Sequence, residues 1–323
     1  MHTAADRPTA LRPGPDRLVA LDRAGWTARA VAHERRVDAL LAGHLERARR
    51  DEHHPVEDFL FSYYSLRPAR LRRWHPGAGV ALRDAPERSG WRDHEDVAGA
   101  GVTLDVAAWL ARRDGAVRHI RDLLAATAAR PAHLQCFGLH EWAMVYRLPA
   151  DDVRHAAWPL RLGAESTDAV VESRAIRCTH HDAFRFFTPQ ARPLNAVQPR
   201  REDQVALEQP GCLHATMDLY KWAYKLLPAV PSELVADAFE LARDVRLLDM
   251  RASPYDLTAL GHEPVPVETP EGRAAYVVEQ RRFAERGAVL RAALLTGCDG
   301  LLARGGTDGD VPLVPGDPVG NGG

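Results

Sequence analysis

Apolar residues along this chain recur mostly at the three-to-four-residue spacing of helices that bury one face, and only briefly at the two-residue spacing of strands. Residues 16–50 read as one long, heavily charged helix, with Leu18, Leu21, Trp26, Val31, Val37, Leu40, Leu41 and Leu45 as intermittent apolar positions. Pro55 suits the first turn of a second helix through Val56, Phe59, Leu60 and Tyr63, which Arg67-Pro68 stops. His75-Pro76-Gly77 is a turn, and residues 77–100 read as irregular. A further helix spans 104–129 and ends before Arg130-Pro131, because the residue ahead of a proline is pushed out of helical geometry.

The middle of the chain changes period. Residues 169–178, AVVESRAIRC, are β-branched and partly alternating, and predict a small β element. Pro189, Pro193 and Pro199 make a long loop, and after Pro210-Gly211 a helix restarts with Leu213, Met217, Tyr220, Tyr224 and Leu227 on one face, closed by Pro228. Ser232 caps the next helix, whose apolar stripe is Leu234, Ala238, Leu241, Val245 and Leu248. Thr269-Pro270-Glu271 opens the last helix, which runs to about residue 295. Residues 1–14 and 304–323 carry too little apolar surface to fold and predict disordered tails. The sum is a mainly α fold, with a single domain over residues 15–296.

Composition narrows the function classes only a little. The chain has 323 residues, 46% hydrophobic and 27% charged, with a formal net charge of -2, so no global positive field announces nucleic acid or a membrane. Cys136, Cys178, Cys212 and Cys298 stand far apart with no CxxC pair, which argues against a thiolate zinc site and against a disulfide framework. No apolar run is long enough to cross a membrane and the N-terminal segment has no apolar h-region, so a cytoplasmic location is expected. The G-x-x-x-x-G-K-[ST] and G-x-G-x-x-G phosphate loops and the G-x-S-x-G elbow are absent, which disfavours phosphate-cradling nucleotide enzymes and α/β hydrolases.

Chemistry-bearing residues cluster in a few places. His140-Glu141-Trp142, with Tyr146 following, begins like the metalloprotease signature H-E-x-x-H, but Met144 occupies the last position; a half-buried aromatic helix is the plainer alternative. Cys178-Thr-His180-His181-Asp182 stands at a predicted strand end, where a rigid element positions accessible side chains. His214 and Asp218 are four apart on a helix, with Lys221 and Lys225 one turn on, and Glu208 precedes its start; the alternative is a solvated ion-pair ladder. Asp244, Asp249, Arg251 and Asp256 read as structural ion pairs. The basic stretch from Leu66 to His75 reads either as a nucleic-acid contact or as a solvated face.

Three blocks, HPVEDFLFSYYSLRPARLRRWHPG, CTHHDAFRFFTPQARPLN and EQPGCLHATMDLYKWAYKLLP, resemble an actinobacterial family commonly labelled 3-methyladenine DNA glycosylase, and the resemblance covers most of residues 15–295. It implies a hydrolase that releases alkylated purine bases from DNA without a cofactor. The chain departs from helix-hairpin-helix glycosylases, whose L-P-G-[VI]-G turn and following catalytic Asp are missing, so no catalytic residue transfers by motif. Base excision needs a pocket for an everted, cationic base, and Trp142, Tyr146, Phe187, Tyr220 and Trp222, with Arg185, are candidate walls. It also needs a carboxylate to stabilise oxocarbenium character, for which Asp182, Glu208 and Asp218 are candidates. Arg67, Arg70, Arg72 and Arg73 would contact DNA phosphates.

The residues support a rival reading. His140, Glu141, His180 and His214, completed by Asp182, Glu208 or Asp218, would hold iron, manganese or zinc in a helical oxygenase or hydrolase acting on a small molecule. Under either reading His180, Asp182, Glu208, His214 and Asp218 are expected to converge on a pocket lined by Trp142 and Tyr220. A third reading makes the chain a helical interaction protein in which every cluster is structural.

Overall fold

The chain enters its fold through a short strand ahead of the long first helix. The computed structural model describes residues 18–149 and 158–305. β1 (Val19–Leu21) ends at Asp22, whose carboxylate accepts the Gly25 N–H at 2.7 Å and so caps α1 (Arg23–Arg49). Only Trp26, Ala30, His33, Val37 and Leu41 of α1 are buried, a stripe narrow enough to account for its charged composition. α2 (Phe59–Tyr63) and α3 (Pro68–Arg72) follow, the latter with Pro68 in its first turn.

The stretch expected to be irregular holds two of the four strands of a sheet. β2 (Val80–Leu82), β3 (His94–Val97) and β4 (Gly101–Leu104) complete a four-stranded sheet of order β1-β2-β4-β3, with α4 (Pro86–Ser89) between β2 and β3 in sequence. β1 lies parallel to β2, whereas β4 runs antiparallel to β2 and to β3, pairing His94 with Leu104 and Val97 with Gly101. Gly101 is obligatory: its φ is +105°, and a Cβ there would stand 2.3 Å from the Leu82 carbonyl oxygen. These strands are too short for an alternating pattern to be legible.

The helix expected over 104–129 is two helices, α5 (Val106–Leu110), capped by the Asp105 carboxylate on the Ala108 N–H, and α6 (Asp114–Ala128). α7 (Leu139–Ala143) is followed by α8 (Gly163–Glu172), which replaces the strand expected at 169–178. Thr167 and Val171, one turn apart, form the buried side of α8, so its β-branched residues serve a helical face; beyond it only Ile176 makes a β-bridge, to Asn195. α9 (His181–Phe184), α10 (Gln204–Leu207), α11 (Leu213–Met217), α12 (Leu219–Lys225) and α13 (Ser232–Arg251) lead to α14 (Pro270–Gly305). α14 runs well past the end expected near residue 295, so Arg304 and Gly305 are helical, while residues 1–14 and 306–323 of the expected tails lie outside the described residues.

α14 is the spine of this mainly helical fold, packing on α5, α6, α11, α12 and α13, and α13 packs in turn on α11 and α12. A smaller apolar cluster of Trp26, Ala30, Trp74, Leu82, Ala85 and Val102 fastens the sheet to α1. No helix among the described residues is long and apolar enough to cross a membrane.

Candidate functional site

Short segments carry polar side chains into the core because their neighbours leave no exposed face. In α7 all of Leu139, His140, Glu141, Trp142 and Ala143 are buried, so its polar groups must find partners inside the protein. α11 is buried throughout as well, which overturns a solvated ladder at His214 and Asp218. Its start is set by the Gln209-Pro210-Gly211 turn, in which Gln209 Oε1 accepts the N–H groups of His133 at 2.8 Å and Gly211 at 2.7 Å. A Cβ on residue 211 would stand 2.7 Å from the His133 carbonyl oxygen, which explains the glycine. On α13 the apolar stripe continues one turn past Val245 to Asp249, with Arg246 beside it, and both are buried.

These segments meet in one cluster. His140 Nε2 lies 2.8 Å from Asp249 Oδ1, and His140 Nδ1 lies 3.3 Å from Cys136 Sγ. The rings of His140 and His214 stand edge to face with centroids 4.5 Å apart, and His214 stacks on His180 at 5.3 Å. Arg246 donates to Glu141 at 3.1 Å and to Asp249 at 3.2 Å, and its guanidinium covers the Phe59 ring. Beyond His214, His180 Nε2 is 3.4 Å from Glu208 and 3.5 Å from Asp218, ion-pair distances without hydrogen-bond alignment, since neither ring nitrogen has a hydrogen-bond partner. Asp218 accepts from the Tyr64 hydroxyl at 2.7 Å and from Lys221 at 3.0 Å, and Lys221 also donates to Asp182 at 3.2 Å.

Burial works against every charge in this cluster, and the neighbours decide which groups overcome it. Burial is the largest influence on His140 and lowers it, but Asp249 and Cys136 together hold it above its ordinary value; burial likewise raises Asp249, and His140, His214 and Arg246 together hold it below the carboxylate range. His214 goes the other way: burial, and then the adjacent His140, push it far down, leaving the neutral imidazole that a metal binds. Burial pushes Glu141 and Glu208 up. Asp218 stays below its ordinary range against burial because His180, Lys221 and Tyr64 all favour its charged form.

Two adjacent spaces border the cluster. A cavity of about 30 Å³, room for a water-sized molecule, is lined by His214, Glu141, Arg246 and Asp182 together with Phe59 and Tyr63. A groove of about 1080 Å³ opens outside it and shares Phe59, Tyr63, Asp182 and Phe186 with that cavity. Its other walls include His44, His54, Tyr64, Lys221, Tyr224 and Lys225.

The sequence-predicted residues therefore divide. His140, Glu141, His180, Glu208, His214 and Asp218 lie in the buried cluster, and Lys221 ties Asp182 to it from the groove side. Arg185 lines the groove, 3.5 Å from Asp182. Trp142, Tyr146, Phe187, Tyr220 and Trp222 line neither space. They belong to the main core: the Trp142 indole donates to the Ala252 carbonyl, the Tyr146 hydroxyl to Glu172, and Trp222 lies under Lys221 and Lys225. The groove is walled instead by Phe59, Phe61, Tyr63, Tyr64, Phe186 and Tyr224, most of them on or beside α2.

Asp249, read from sequence as a structural ion pair, does pair with Arg246, but it also contacts His140 and lies within 4.8 Å of a His214 donor atom; the available signal is a carboxylate in register with an apolar stripe. Asp244 pairs with Arg286, and Arg251 donates to the Glu263 carbonyl rather than to Asp256. Of the arginines given as phosphate contacts, Arg72 is paired with Glu34 and Asp38, whereas Arg70 and Arg73 line a separate cavity and Arg67 precedes α3.

No family model, no curated protein and no solved structure matches this chain. Its site therefore has to be read from its own atoms. One donor atom each from His140, His214 and Asp249 lies within 4.8 Å of the other two, and all three residues are buried. Donors bound at about 2.1 Å to one ion stand about 3 Å apart when adjacent and about 4 Å apart when opposite. The 4.8 Å limit on the observed separations lies a little above that range.

Proposed function

We propose that this chain is a metal-dependent enzyme that holds a first-row transition-metal ion between His140, His214 and Asp249 and acts on a small organic molecule bound in the groove above it. The observation that carries this reading is that three donors from three different helices converge beside a cavity that shares four wall residues with the groove. Two imidazoles and a carboxylate suit iron, manganese or zinc and leave coordination positions free for water, dioxygen or substrate. The ion, when bound, would supply Lewis acidity or redox chemistry at the inner cavity. The chain's own residues would do the rest. Arg246 fixes the Asp249 carboxylate from the far side, as supporting partners of metal ligands do. Phe59, Tyr63 and Phe186 form the wall common to groove and cavity, and Asp182 on that wall, with Lys221 beside it in the groove, is placed to orient a polar substrate group.

Base excision from alkylated DNA is the second reading, favoured by one observation: Asp182 is a carboxylate on the wall of an aromatic groove, as that chemistry requires. One preparation tests both. Protein purified without chelator is expected to carry stoichiometric metal, and chelation is expected to remove it without unfolding the chain. Metal-free protein that still releases base from alkylated DNA would replace the metalloenzyme with the glycosylase.

A further inference from the structure

Away from the histidine cluster, a cavity of about 530 Å³ opens between the small sheet and the helical body. Three separate stretches of chain supply its charge: Arg70, Arg73 and His75 at the end of α3, Arg92, Asp93 and His94 at the start of β3, and Arg112 and Arg113 between α5 and α6. Five guanidinium groups thus face one carboxylate, on a chain whose formal net charge is -2. Composition does not produce such a local excess.

The one carboxylate is already engaged. Asp93 accepts from Arg112 and stands 4.0 Å from Arg92. Arg70, Arg73 and Arg113 have no carboxylate partner among the described residues, although Arg73 packs over the Trp91 ring and Arg113 donates to the Lys225 carbonyl. Arg88 adds a further guanidinium behind the cavity, 4.0 Å from the Trp91 ring centroid and likewise without a carboxylate partner. His75 is 9% exposed, and its Nδ1 is buried with no hydrogen-bond partner. Burial first, and then His94 and the surrounding arginines, push its pKa down to about 3, so at neutral pH it offers a hydrogen bond and no further charge.

We propose that this cavity is a binding site for a small, multiply phosphorylated compound. Like charges held together in a concave, partly desolvated space repel one another, and a dense anion relieves that repulsion. Arginine forks match phosphoryl oxygens in pairs, and three forks without a carboxylate partner around one cavity suit more than one phosphoryl group. The volume lies within the range of small-molecule sites. A nucleic-acid duplex fits less well, because the basic surface does not continue: Arg72 is neutralised by Glu34 and Asp38, and Glu95 and Asp96 follow His94 as exposed acids along β3.

The test is calorimetric titration of the intact protein with inorganic pyrophosphate, a nucleoside triphosphate and a short DNA duplex at about 0.15 M salt. Pyrophosphate or the triphosphate is expected to bind one per chain, and each of R70A and R73A is expected to weaken binding about tenfold, the cost of a charge-assisted hydrogen bond. R72A, outside the cavity, serves as the control and is expected to bind as the wild type does. The proposal fails if neither phosphate compound binds, if R70A/R73A binds them undiminished, or if only the duplex binds.

Discussion

Replacing His214 with alanine is expected to leave a folded protein whose affinity for a divalent first-row metal has fallen at least about a hundredfold, more than the loss of a supporting partner of a ligand brings. His214 is the informative position because it stands outside the ion pairs that tie His140 and Asp249 into the fold. Its imidazole is neutral and borders the inner cavity, so its removal mainly enlarges a space that already exists. Asp249→Asn should also lose the metal, but it leaves Arg246 with Glu141 as its remaining charged partner and should cost about 3 to 5 kcal/mol of stability. Titration of metal into the chelated variants, with near-ultraviolet circular dichroism to report packing, separates the two effects. An H214A protein that binds metal as tightly as the wild type would place the ion elsewhere.

The second large effect is expected at Asp218, the junction between the buried cluster and the groove. Its carboxylate is 1% exposed and accepts from Tyr64 and Lys221 while standing 3.5 Å from His180. Asp218→Ala removes the acceptor of Tyr64 and Lys221 and leaves His180 with Glu208 as its nearest charged neighbour, at a cost of about 3 kcal/mol or more. The dependence on pH has a definite sign. A carboxyl held below its ordinary range when folded contributes stability that is complete above that range and is lost as the pH falls below about 4. Denaturant unfolding of wild type and D218A at neutral and acidic pH is therefore expected to show a gap that narrows in acid. A gap that widened would mean that Asp218 is protonated in the folded protein.

The long amphipathic elements were legible in the sequence because each rests on a repeated spacing. Of the expected stripe, Ala238, Leu241, Val245 and Leu248 are buried along α13 and Leu234 is half-buried, with Val235 and Ala242 buried beside them. The sheet was not legible, since strands of three or four residues such as Val80–Leu82 hold too few positions for alternation to show. Residues 169–171 misled for a different reason: Val170 and Val171 favour strands intrinsically, but burial on one side of α8 outweighs that preference.

The candidate site divides along a similar line. His180, Glu208, His214 and Asp218 announced themselves through unusual residue types near helix starts, whereas their burial depends on packing that no local pattern encodes. Asp249 was masked by its place at the end of an apolar stripe beside an arginine, where an ion pair is the simpler reading. Its distance to His140, 109 residues away in sequence, becomes visible only when α7 and α13 are laid together. The aromatics were misassigned because tryptophan and tyrosine fill cores as readily as they wall pockets. Trp142 and Tyr220 fill the core, and Phe59 and Tyr63 reach the groove.

The measurement that bears most directly on the metal centre is anomalous X-ray scattering, recorded at the iron, manganese and zinc edges from crystals of protein purified without chelator. A single peak about 2.0 to 2.3 Å from donor atoms of His140, His214 and Asp249 is the expected result. A peak at any other place, or none at all three edges with His140 still 2.8 Å from Asp249, would contradict it.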